Sequence, residues 1–99
     1  MLVHSVYFWL KKGTSPADRA AFRAGLESLD AIKAVGQMFV GRPASTEEAG
    51  VIDNSFDFAL TVLFTDQAAL DAYSTDPLHE ALVAKFAPMW QRVVVHDAQ

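Results

Sequence analysis

The first hydrophobic segment of the chain, residues 2–10, predicts a buried β-strand. The segment is almost continuously apolar and rich in β-branched and aromatic residues. A run of this length and composition is typical of a strand that is covered on both faces. Successive side chains of a strand alternate between its faces, so His4, Val6 and Phe8 share one face and Trp9 lies on the other.

The next segment has the pattern of an amphipathic helix. Ser15 is the predicted N-cap and Pro16 the first helical residue, because a serine side chain can accept a free N–H and proline needs no donor there. Apolar residues then recur at helical spacing and form one face. This face consists of Phe22, Leu26, Leu29 and Ile32.

Two further strands are predicted over residues 35–40 and 56–64. Gly41-Arg42-Pro43 ends the first of them, and the polar connection over residues 44–54 is expected to be the most mobile segment. The second strand alternates between large apolar residues and smaller or polar ones. One face of it is predicted to carry Phe56, Phe58, Leu60, Val62 and Phe64.

A pair of short helices follows. Asp66 is predicted to cap a helix over residues 67–73, and Asp76 a second helix that ends near residue 86, before Pro88. The second helix is predicted to have one stripe of Leu78, Leu82 and Phe86, and a neighbouring stripe of His79 and Val83.

The last strand, over residues 90–96, completes the order β-α-β-β-α-β. This order predicts one ferredoxin-like α+β domain over residues 1–99, with a four-stranded antiparallel sheet. Within the last strand, one face is predicted to carry Trp90, Arg92, Val94 and His96, and the other Gln91, Val93 and Val95.

Both faces of the predicted sheet are apolar, although helices can cover only one of them. A monomer would therefore expose a patch that signals a partner. The simplest partner is a second copy related by a two-fold axis, which predicts a homodimeric α+β barrel. The patch is predicted to consist of Tyr7, Trp9, Leu63, Val93 and Val95.

Charge and composition narrow the range of partners. The net charge of −4 predicts no nucleic-acid partner, because such proteins need a basic face. The chain has no cysteine, which excludes thiolate chemistry and fits a cytoplasmic location. The apolar start is not preceded by basic residues, so no signal peptide is predicted. No apolar run approaches the roughly 20 residues of a membrane span, so no membrane partner is predicted.

Several segments together resemble the stress-responsive A/B barrel domain (Dabb) family of the dimeric α+β barrel superfamily. They are His4 to Lys11 (HSVYFWLK), Asp53 to Leu60 (DNSFDFAL), Asp66 to Tyr73 (DQAALDAY) and Pro77-Leu78-His79. The resemblance spans essentially the whole chain and implies the fold and the dimer. Most members of the family are bacterial proteins of unassigned activity, so the resemblance implies no single reaction.

One plant branch of this family consists of polyketide cyclases, which close a ring by aldol condensation without a cofactor. The resemblance implies that Tyr73 and His79, six residues apart, match the pocket residues of that branch, and that His4 matches its strand-one histidine. Asp76 departs from the family pattern, which often has histidine before the proline. Haem binding occurs elsewhere in the superfamily, but no feature of this sequence selects it.

His79, Tyr73 and His4 are the candidate catalytic residues. His79 could act as a general base near neutral pH, and Tyr73 could hydrogen-bond an oxygen on which charge develops. The alternative is that His79 bonds a backbone group in the first helical turn and that His4 is a core histidine. The walls of the pocket are predicted to include Val6, Phe8, Phe58, Phe86 and Trp90, residues that could equally be simple core.

Two functions follow from this pattern. One is a protein that binds a small apolar or aromatic molecule between sheet and helices. The other is a cofactor-independent enzyme, such as a cyclase, isomerase or monooxygenase, that uses the histidine and tyrosine. No metal or cofactor is predicted, because the histidines are not spaced as metal ligands.

Overall fold

The structure is a computed structural model that describes residues 1–47 and 49–99. The predicted connection over residues 44–54 therefore includes one residue, 48, that lies outside the described part. The strands are β1 (Leu2–Leu10), β2 (Gln37–Gly41), β3 (Phe58–Phe64) and β4 (Trp90–Ala98), and the helices are α1 (Pro16–Ser28), α2 (Gln67–Ser74) and α3 (Pro77–Phe86).

Each helix begins at the residue that the sequence predicts. The side chain of Ser15 accepts the N–H of Asp18 at 3.1 Å, and Pro16 is the first helical residue. The Asp66 carboxylate caps α2, and the Asp76 carboxylate caps α3. An N-cap of this kind contributes about 0.5–2 kcal/mol to stability, because it satisfies an N–H that has no partner within the helix.

The four strands form one antiparallel sheet in the order β2-β3-β1-β4. The helices pack on one face of this sheet. Because the element order is β-α-β-β-α-α-β, with the second helix divided, the predicted ferredoxin-like α+β fold is confirmed. The strand β1 lies between β3 and β4 and pairs with both of them.

The core lies between the sheet and the helices and is centred on Phe22. This ring is fully buried and lies 5.0 Å from that of Phe8 and 5.3 Å from that of Phe86, measured between centroids. Burial of one such side chain stabilises the fold by roughly 1.5–3 kcal/mol. All four residues of the predicted helical face are buried, but only Phe22 and Leu26 lie on α1. Leu29 lies in a short 3-10 turn that follows the helix, and Ile32 lies just beyond that turn.

The sequence correctly predicts that Arg92, Val94 and His96 share one face of the last strand and Val93 and Val95 the other, but the predicted orientation of these faces and the place of Trp90 were wrong. Val95 pairs with Val6 and Val93 with Phe8, so both valines lie on the helix side of the sheet. The pairing of β1 with β4 shifts between Trp9 and Leu10, and Trp90 therefore also lies on the helix side. An irregularity of this kind breaks the alternation of side chains on which the prediction relied.

Three further predictions at the ends of elements were wrong. Strand β2 begins at residue 37 and not at 35, and β3 begins at Phe58. Phe56 precedes β3 and its ring lies 5.1 Å from that of Tyr7, which points away from the helices. At this end of the sheet the Asp57 carboxylate, in place of a backbone group, accepts the Leu10 N–H. Leu78 is 47% exposed and is not part of the buried stripe of α3.

The sheet face that points away from the helices is called the outer face below. The strand pairing places large apolar side chains there, together with a few polar ones. Phe39, on the edge strand β2, is 66% exposed. The central part of the outer face consists of Phe39, Thr61, Leu63, Ser5, Tyr7, Trp9, Arg92, Val94 and His96.

Candidate functional site

A cavity of about 220 Å³ lies between the helix side of the sheet and the junction of α2 with α3. Four of the residues around it carry polar side chains: His4, Tyr73, Ser74 and His79. The rest of the wall is apolar and includes Val6, Phe8, Leu60, Leu82, Val83, Trp90, Val93 and Val95. An apolar cavity with a few polar groups is the usual form of a small-molecule site.

His4 lies on β1 directly opposite Asp97 on β4. Its Nδ1 atom is 2.5 Å from Oδ1 of that carboxylate. A carboxylate accepts hydrogen bonds, so Nδ1 of His4 is the donor in this contact. The His4 side chain is largely buried, whereas Asp97 is partly exposed. The carboxylate thus holds the imidazole in one orientation.

Tyr73 lies in the last turn of α2 and is 1% exposed. Its ring centroid is 4.7 Å from that of His79 and 6.0 Å from that of His4. Burial raises the pKa of the Tyr73 phenol to about 12, because the charged phenolate would lose its hydration. At neutral pH this side chain is therefore a hydrogen-bond donor and does not ionise.

His79 lies in the first turn of α3 and is partly buried against the cavity. Burial lowers the pKa of His79 below its ordinary value of 6.5, and the nearby His4 lowers it further. The backbone of Ser74 and the carboxylates of Glu80 and Asp76 act in the opposite direction but do not outweigh burial. The neutral imidazole, which can accept a proton, is thus the main form at pH 7.

The break between α2 and α3 brings Tyr73 and His79 to the same cavity. The N–H of Asp76 donates to the carbonyl of Tyr73 at 3.2 Å, and the Asp76 carboxylate accepts the N–H of Leu78 at 2.9 Å. One short turn therefore ends the first helix and begins the second. In an unbroken helix, side chains six residues apart would point in different directions.

The walls of the cavity agree with the predicted residues only in part. Val6, Phe8 and Trp90 line the cavity, but Phe58 and Phe86 do not. Phe58 and Phe86 instead contact Phe22, with ring centroids 5.7 Å and 5.3 Å away. Both residues are buried, and their rings pack against α1 and not against the cavity.

Sequence reasoning missed Asp97 and several wall residues, among them Val93 and Val95. Asp97 lies one residue beyond the predicted end of the last strand, and nothing in the sequence pairs it with a residue 93 positions earlier. The valines were missed because the last strand was assigned the wrong faces. A prediction of the β1–β4 register would have found all three.

The third histidine lies outside the cavity, and the described residues contain no metal-ligand cluster. His96 lies on the outer face, with its ring 6.5 Å from that of Tyr7, and does not line the cavity. In residues 1–47 and 49–99, no three His, Asp or Glu side chains are grouped as metal ligands would be. Within the same part of the chain, no helix has the length and apolar character of a membrane span.

The fold and the cavity define a class: ferredoxin-like α+β domains with a histidine- and tyrosine-containing cavity between sheet and helices. Within that class, residues 2–99 match the family model of the Stress responsive A/B Barrel Domain (Dabb), and the chain belongs to this family. No functionally curated protein has significant sequence similarity to the chain.

Solved structures share the whole fold at low sequence identity. A Dabb family protein from Mesorhizobium loti has 26% identity and a TM-score of 0.80, over 99% of this chain and 94% of that one. A dimeric ferredoxin-like protein of unknown function from Thermobifida fusca has 22% identity and a TM-score of 0.80, over 98% and 88%. The hydroxynitrile lyase of Passiflora edulis has 18% identity and a TM-score of 0.80, over 98% and 90%.

Proposed function

We propose that the cavity binds a small apolar or aromatic molecule that carries an oxygen function. The observation that supports this most directly is the composition of the wall, in which an apolar surface surrounds the side chains of His4, Tyr73 and His79. The apolar wall favours a ligand of low polarity through burial of its surface. The Tyr73 hydroxyl and the neutral His79 ring would orient an oxygen of that ligand.

Titration with 4-ethylphenol, followed by ¹H–¹⁵N and methyl NMR, tests the binding proposal. Saturable shifts are expected at Val6, Val83 and Val93. Val83→Trp should fill the cavity and abolish these shifts, whereas Leu78→Trp, on the exposed face of the same helix, should leave them unchanged. Shifts that map to the outer face, or that persist in Val83→Trp, would contradict the proposal.

A second function, cofactor-independent proton transfer, is favoured by the arrangement of the polar groups. His79 would remove a proton from a carbon next to a carbonyl group, and Tyr73 would donate a hydrogen bond to the enolate oxygen that forms. His4, held by Asp97, would accept or return a proton through Nε2. The fold is also that of a protein named as a hydroxynitrile lyase, so an enzyme can be built on it.

Hydrogen–deuterium exchange at the methyl group of acetophenone tests the catalytic function. Exchange in D₂O leaves the substrate otherwise intact and can be followed by ¹H NMR. Catalysis above the rate of an equal concentration of free imidazole is the expected result. If 4-ethylphenol binds but acetophenone exchange is not accelerated, the binding proposal stands and the catalytic proposal is contradicted.

We also propose that two copies pair through the outer face, as in the predicted homodimeric barrel. The large exposed side chain of Phe39 and the neighbouring apolar residues support this pairing, and a structural neighbour from Thermobifida fusca is described as dimeric. The pairing would bury Tyr7, Trp9 and Leu63, whereas Val93 and Val95 face the cavity. The absence of a nucleic-acid partner and the cytoplasmic location stay predictions.

A further inference from the structure

A second concave site lies beside α1 and the end of β2 and shares no lining residue with the cavity. It has a volume of about 300 Å³ and is lined by Arg19, Arg23 and Arg42, with Pro16, Ala20 and Phe58 completing its wall. The chain has four arginines and a net charge of −4. Three of the four arginines of an acidic protein therefore meet in one pocket.

Local structure explains how the three side chains meet. Arg19 and Arg23 are one turn apart on α1 and so lie on the same face of that helix. Arg42 directly follows β2, which ends at Gly41. Nη2 of Arg23 lies 3.5 Å from the carbonyl oxygen of Val40, so this side chain reaches the end of β2.

Ion pairing neutralises this cluster only in part. Arg19 pairs with Asp57 at 3.0 Å and Arg23 with Glu27 at 2.9 Å, and each pair uses a single nitrogen of the guanidinium group. Among residues 1–47 and 49–99, three guanidinium groups and two paired carboxylates leave one positive charge. Because each guanidinium has five N–H groups, most of the donors in the pocket are not used by these pairs.

Exposure and shape make the remaining donors available. The side chains of Arg19 and Arg23 are 40% and 41% exposed, so an anion can reach them from solvent. Planar guanidinium groups bind carboxylate and phosphate oxygens in pairs. The exposed Pro16 and the small accessible part of Phe58, which is 4% exposed, form the apolar part of the wall beside the charges.

We propose that this arginine pocket binds the carboxylate or phosphate group of a small molecule whose apolar part contacts Phe58 and Pro16. The site is separate from the cavity, because none of the arginines lines the cavity and Phe58 does not line it either. The proposal is independent of the proposed functions of His4, Tyr73 and His79.

NMR titrations at constant ionic strength, with inorganic phosphate, acetate and benzoate in separate arms, test the proposal. Saturable shifts of the side-chain Nε–H signals of Arg19, Arg23 and Arg42 are expected in at least one arm. Tighter binding of benzoate than of acetate would assign the ligand to the apolar carboxylates. Tighter binding of phosphate than of either would assign it to the phosphates.

Two matched variants separate a specific site from general charge effects. Arg42→Gln should weaken binding about tenfold, the scale of one hydrogen bond between charged groups. Lys33→Gln removes the same charge from an exposed position outside the pocket and should leave binding unchanged. The absence of saturation in all three arms, or equal weakening in both variants, would overturn the proposal. A native-like spectrum of Arg42→Gln excludes unfolding as the cause.

Discussion

At the scale of single residues, the surroundings of the cavity side chains set their chemistry. Burial lowers the pKa of His79 and raises that of Tyr73 to about 12, and the Asp97 carboxylate orients the His4 ring. Burial and hydrogen bonding therefore act together at one site. A neutral imidazole and a phenol hydroxyl face a single apolar space.

Replacement of His79 should remove the general base. His79→Gln is expected to lower acetophenone exchange by about 10²–10⁴-fold, the usual contribution of a positioned base. His96→Gln is the matched control, since this histidine lies on the outer face and does not line the cavity. Equal rates in His79→Gln and the wild-type protein would show that His79 is not the base.

The pH profile of exchange follows from the same pKa values. The base must be neutral, and burial lowers the pKa of His79, so the rate should rise to a plateau with an inflection below pH 6.5. The plateau should persist through pH 9, since the pKa of Tyr73 is raised to about 12. Measured rates between pH 4 and 9 test this expectation, and an inflection above pH 6.5 would contradict it.

At the scale of elements, the break between α2 and α3 is a structural part of the site. Asp76→Ala removes the N-cap of α3 and is expected to destabilise the protein by about 1 kcal/mol. It should also change the NMR shifts of the His79 ring, which lies in the first turn of that helix.

Asp66→Ala is the matched control for that change. It removes the cap of α2, in which the Asp66 carboxylate accepts the Ala69 N–H at 2.9 Å. The free energy of unfolding, measured by urea denaturation, should fall by a similar amount. The ring signals of His79 should then stay in place. Similar shifts of His79 in both variants would show that the α2–α3 turn does not position this residue specifically.

At the scale of the whole molecule, the outer face should control assembly. Light scattering of the wild-type protein is expected to give about twice the chain mass of 10.8 kDa. Phe39→Glu places a charge where the partner would pack, so it should shift the protein towards monomer while the exposed position allows folding. Leu78→Glu, on an exposed face of α3, should stay dimeric. A wild-type monomer would refute the barrel.

Alkaline stability of the molecule should depend on Tyr73. The unfolded phenol ionises near pH 10, whereas in the folded protein the pKa is raised to about 12. The unfolded state therefore loses its proton first, and stability is lost as pH rises from 10 towards 12. Urea denaturation of the wild-type protein should lose about 1 kcal/mol more than that of Tyr73→Phe between pH 9 and 11. Equal losses of unfolding free energy in the wild-type protein and in Tyr73→Phe would contradict this expectation.

Local patterns in the sequence determined the elements, their caps and most of the core. Ser15, Asp66 and Asp76 act on backbone groups two or three residues away, and the α1 face of Phe22 and Leu26 follows from the helical repeat. Such interactions depend on neighbours along the chain, so they can be predicted from the sequence. The family resemblance added the pairing of Tyr73 with His79.

Only the tertiary structure decided which residues meet across the sheet. The contact of His4 with Asp97 and the position of Val93 and Val95 in the cavity wall depend on the β1–β4 register. That register includes a shift between Trp9 and Leu10, and strand alternation alone does not reveal such a shift. The cluster of Arg19, Arg23 and Arg42 likewise requires the end of β2 to lie beside α1. These contacts join residues that are far apart in the sequence, so they form only when the complete fold packs together.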